Sequence, residues 1–155
     1  MTLKPLLAAC VFLAASSLVF AGDPPVKLKG DLAKLQGKWN MKFGPDGGFE
    51  MDILFKEKSV TFSGKGPDGQ AFEIKGEIKL DEEAKPHKTI DYVNFKGPDG
   101  NDFPDNLGIY AFDGDDKVKL CSGGPGQDRP TEFKTGEGPG TTITMTRKVE
   151  PEPKK

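Results

Sequence analysis

Lys38-Trp39-Asn40-Met41-Lys42-Phe43, the turn Gly44-Pro45-Asp46-Gly47, and Phe49-Glu50-Met51-Asp52-Ile53-Leu54-Phe55 decide how this chain folds. Apolar and polar residues alternate one by one on both sides of the turn, and Leu54 alone breaks the pattern. A period of two sends every second side chain to the same face, so both segments read as half-buried strands with one wet side. Between them, proline presets φ at the second turn position, aspartate suits the third, and glycine accepts the left-handed conformation that follows. Two such strands around such a turn make an antiparallel hairpin.

The same grammar continues outward. Gly-Pro-Asp-Gly returns at residues 66–69 and 97–100. Val60 and Phe62 alternate with polar neighbours, as do Phe72, Ile74, Ile78 and Leu80 with Glu73, Lys75, Glu77 and Lys79. Val118 and Leu120 stand among lysines, Ile143 and Met145 among threonines. The pattern predicts strands over 38–43, 49–56, 58–63, 70–80, 89–95, 107–112, 116–121, 130–134 and 141–148. Gly108-Ile109-Tyr110-Ala111-Phe112 is apolar on both faces and predicts the most deeply buried strand, with a hairpin turn at Asp113-Gly114-Asp115. The one helical signal is short: Asp31 can cap Leu32–Leu35 before Gly37. Eight or nine short strands must hide their edges, and closing the sheet on itself abolishes edges. The expected fold class is therefore all-β, an antiparallel up-and-down barrel of about eight strands with a short N-terminal helical turn. A β-sandwich is the alternative.

The N-terminus carries a different message. Lys4 is followed by an uncharged run from Pro5 to Phe20, and Val19-Phe20-Ala21 precedes Gly22-Asp23-Pro24-Pro25. A basic start, an apolar stretch and small residues before the cut form a signal peptide over 1–21, cleaved after Ala21. The run is shorter than the roughly 20 apolar residues of a membrane span. Leu7-Ala8-Ala9-Cys10 matches a lipoprotein box, but the apolar run continues ten residues past the cysteine, which argues against lipid anchoring at Cys10. The expected organisation is a linker over 22–30, the barrel over 31–149 and a disordered polar tail over 150–155, in a periplasmic or extracellular protein.

Charge and composition narrow the chemistry. The full chain has a net charge of −2, and removing the leader takes away one lysine and no acid. Scattered lysines on a mildly acidic chain argue against nucleic acid as partner, because phosphate binding needs a basic patch. Cys121 is left as a lone thiol, read as a small buried hydrophobe. His87, the single histidine, reads as a solvated loop residue with no nucleophile motif beside it. Zinc would need more His or Cys than remain. Asp99-Gly100-Asn101-Asp102 and Asp113-Gly114-Asp115-Asp116 lack the spacing of a calcium loop. No catalytic residue, metal or cofactor is singled out.

Leu35-Gln36-Gly37-Lys38-Trp39 resembles the Gly-x-Trp signature of lipocalins. Together with Lys85-Pro86-His87-Lys88-Thr89-Ile90-Asp91, Gly108-Ile109-Tyr110, Leu120-Cys121 and Arg129-Pro130-Thr131-Glu132-Phe133, it is similar to a family of exported, lipocalin-like domains abundant in planctomycete bacteria. The resemblance implies a fold and a compartment rather than an activity. It also implies that Trp39 plugs the closed end with an arginine from the chain's end across its ring, and Arg147 is the residue placed to do so. The inward set that could hold a small hydrophobic molecule is Met41, Phe43, Met51, Ile53, Phe55, Phe62, Phe72, Ile74, Tyr110 and Leu120, with Trp39 and Met145 beside them. Such bulky residues on short strands favour a filled or nearly filled lumen. A ligand-binding module and a structural or interaction module with a solid core are thus the two readings, and an enzyme is the third.

Overall fold

A computed structural model describes residues 27–43, 48–97, 100–136, 138 and 140–149. The leader, most of the linker, the first Gly-Pro-Asp-Gly turn and the C-terminal tail lie outside the described residues. Helix α1 (Gly30–Leu35) precedes β1 (Gly37–Phe43), β2 (Phe49–Lys56), β3 (Ser59–Lys65), β4 (Ala71–Asp81), β5 (Lys88–Val93), β6 (Asn106–Phe112), β7 (Lys117–Ser122) and β8 (Thr142–Arg147). Each strand pairs antiparallel with the next, and β8 returns to β1, so these eight strands form a closed up-and-down barrel. Trp39 faces Arg147 and Met41 faces Met145 across the closing seam.

Alternation explains the register. Trp39, Ile53, Phe62 and Ile74 lie opposite one another on successive strands, so their side chains form one inner row. Leu54, which breaks the pattern, points outward and is 39% exposed.

Odd-numbered strands start at one end of the barrel and even-numbered strands at the other. The end holding α1 is plugged. The indole Nε1 of Trp39 donates to the Leu35 carbonyl at 2.7 Å. The Arg147 guanidinium lies 4.2 Å from the Trp39 ring centroid and donates to the carbonyls of Gln36 (2.9 Å) and Lys34 (2.7 Å). It thereby stacks on the indole and also satisfies carbonyls at the end of α1. Gln36 ties α1 to the β2–β3 turn, accepting from the Glu57 amide at 2.6 Å and donating to the Leu32 carbonyl at 2.8 Å.

Two expectations are corrected. Residues 130–134 form no strand; apart from one isolated bridge between Lys134 and Thr141 they run as irregular chain. They belong to a strap between β7 and β8 that lies over the outer face of β5 and β6. Arg129 grips Asp91 with both terminal nitrogens (2.6 and 3.1 Å) and the Gly108 carbonyl at 2.7 Å. Phe133 packs edge-on against His87, ring centroids 5.0 Å apart, so His87 is partly covered rather than simply solvated. This cover is why Ile109 and Cys121, on the outer face, are 2% and 1% exposed. The second correction concerns Asp31. It makes no side-chain cap for α1; its carboxylate turns inward instead and accepts from Lys88 Nζ at 2.6 Å and the Tyr110 hydroxyl at 2.8 Å.

Candidate functional site

The barrel is filled at one end and open at the other. In the plugged half, Trp39, Ile53, Val60, Phe55, Tyr110 and Val118 are at most 2% exposed. Towards the other end the side chains part around a cavity of about 350 Å³. The expectation of a filled lumen therefore holds only for the half nearest α1.

Six residues of the expected inward set border this cavity: Met41, Met51, Phe62, Phe72, Ile74 and Leu120. Ile53, Phe55 and Tyr110 sit lower, in the packed half. Phe43, at the end of β1, packs its ring 4.7 Å from that of Phe49 and does not border the cavity. The wall also includes residues outside that set. Ile90, Tyr92 and Asn106 come from β5 and β6, while Phe95, Phe103, Pro104 and Pro125 come from the connections at the open end. Ile90 and Tyr92 flank Asp91 in plain alternation, so their inward direction is readable from sequence. The loop residues give no such signal, because nothing periodic marks which way a loop side chain turns.

The third Gly-Pro-Asp-Gly segment explains the loop contribution. Gly97 N donates to Asn101 O at 2.8 Å and Gly100 N to Gly97 O at 2.9 Å, matching Gly66 N to Gln70 O (2.8 Å) and Gly69 N to Gly66 O (2.9 Å). Around that turn Phe103 N donates to Phe95 O at 2.8 Å. The β5–β6 connection is thus a small hairpin of its own. It brings Phe95 against Phe62 (5.6 Å between centroids) and leaves Phe103 41% exposed beside the cavity. The start of the strap closes another side, with Gly126 N on Asp105 O at 2.9 Å and Gly124 N on Asn106 Oδ1 at 3.2 Å.

Chemically the wall is apolar. Among the described residues, the polar side chains on the wall are those of Tyr92, Asn106 and Ser122, and none carries a charge; Cys121 borders the space from the outward phase of β7. The Cys121 thiol is engaged with the Gly140 carbonyl at 3.0 Å. Among the described residues no three His, Cys, Asp or Glu side chains converge on a metal-sized site, and no helix is long and apolar enough to cross a membrane. No family model, curated protein or solved structure matches this chain. The geometry of the cavity therefore carries the functional argument alone. Its volume and apolar wall suit an apolar molecule.

Proposed function

We propose that this chain is an exported, lipocalin-like binding module that holds one small apolar molecule in the open half of its barrel. The cavity carries the reading: its volume of about 350 Å³ exceeds the roughly 300 Å³ at which ligand pockets begin. It is more than twice the roughly 150 Å³ that suffices for benzene in an engineered apolar cavity. The leader at 1–21 and the Gly-x-Trp opening at Gly37–Trp39 support export and the lipocalin-like assignment.

Native mass spectrometry of the protein purified from its source tests the binding. An adduct of a few hundred daltons, lost on denaturation, is the expected result. A bare mass together with no uptake of apolar dyes would remove the reading. Export is checked by the N-terminus of the protein recovered outside the cytoplasm, which should be Gly22; an N-terminus at a lipidated Cys10 would mean lipid anchoring instead.

A further inference from the structure

Tyr92 and Asn106 are cross-strand partners on β5 and β6, so both side chains share the inner face of the barrel. Tyr92 is 7% exposed, its ring set between Phe62 (5.6 Å) and Phe95 (6.4 Å). A buried tyrosine hydroxyl ordinarily finds a partner, as Tyr110 does on Asp31 at 2.8 Å. The Tyr92 hydroxyl has no partner among the described residues, yet it is not sealed in, since the one fully buried side-chain polar atom without a partner there is Thr142 Oγ1; burial of the residue pushes its pKa upward, so it stays a protonated donor. Asn106 accepts from Gly124 N through Oδ1, which fixes its amide and leaves the NH₂ without an acceptor among the described residues. With the Ser122 hydroxyl as a third polar group, the wall thus presents uncharged donors and, among the described residues, no cation. An ionised ligand would have to leave water with no countercharge to receive it.

Resting on the binding reading above, we infer that the cavity takes a neutral apolar carbonyl compound whose oxygen accepts from Tyr92 and Asn106. A carbonyl has two lone pairs for two donors and brings no hydrogen that needs an acceptor.

Calorimetric titration of the protein at pH 7 with 2-acetylnaphthalene, 2-ethylnaphthalene and 2-naphthoate separates the possibilities, since the three share one skeleton. The ketone should bind about tenfold more tightly than the hydrocarbon, the value of one good hydrogen bond, and the carboxylate should bind weakest. Tyr92→Phe keeps the ring. With an unchanged circular dichroism spectrum, it should weaken the ketone by about five- to tenfold and leave the hydrocarbon unaffected. Equal binding of ketone and hydrocarbon, tightest binding of the carboxylate, or an undiminished ketone preference in Tyr92→Phe would each overturn the carbonyl assignment while leaving the binding reading intact. Failure of all three compounds to bind would overturn both.

Discussion

Asp31 takes a carboxylate to a place where the residue is only 4% exposed, and its neighbours make that tolerable. Burial by itself raises its pKa, but the hydrogen bonds from Lys88 and Tyr110 outweigh that and hold it below the ordinary 3.8. The same contact, the largest influence on Lys88, raises the lysine above 10.5. The two signs define a window. Stability from Asp31 is complete above 3.8 and is lost as pH falls through its lower folded value. Stability from Lys88 is complete below 10.5 and is lost as pH rises through its higher folded value. Asp31→Ala should cost about 1–3 kcal/mol at neutral pH, because the Tyr110 hydroxyl stays buried without its acceptor. Urea midpoints taken between about pH 5 and pH 2 should fall less steeply for the variant than for the native protein. This role was not legible in the sequence. Asp31 stands where a capping residue belongs, and only the fold brings Lys88, 57 positions away, within reach. Trp39 and Arg147 are the opposite case, since each sits on the inward phase of a strand that closure makes a neighbour.

At the scale of elements, β4 and the 95–103 hairpin are fitted to each other. A β-carbon on Gly76 would overlap the Phe95 ring, so glycine is needed there for space rather than for backbone freedom. Gly76→Ala should destabilise by about 1–3 kcal/mol through overpacking. In a Phe95→Leu background most of that cost should vanish; a thermal double-mutant cycle reads the coupling, and simple additivity would disprove the contact. The strap depends on one planar fork. Arg129→Lys keeps the charge but loses the two-point grip on Asp91, and cleavage within 123–141 by a broad-specificity protease should accelerate several-fold while the strands remain protected. The strands themselves were readable because a period of two survives any context. The segment 130–134 reads as a strand in sequence but runs as irregular strap, because its residues serve the outer face of a sheet that sequence does not display.

For the molecule as a whole, the division into a packed half and a hollow half is the consequential feature. Ile53 is 0% exposed in the packed half, whereas Met51, two residues away on the same strand, borders the cavity. Ile53→Ala should cost about 2–5 kcal/mol, since a new void opens in close-packed surroundings. Met51→Ala should cost less than about 2 kcal/mol, because its neighbour is already empty space. Guanidinium denaturation of the two variants checks the contrast, and equal losses would mean that the lumen is uniformly packed. By itself the sequence determined the all-β class, the phase of the alternating strands, the turns and the sheet's need to close, because alternation and turn chemistry are local. Only the tertiary structure decided which inward residues touch and which stand apart. That depends on barrel radius, on a plug at one end and on loop phenylalanines at the other. No local pattern encodes the volume left between side chains that meet from eight different strands.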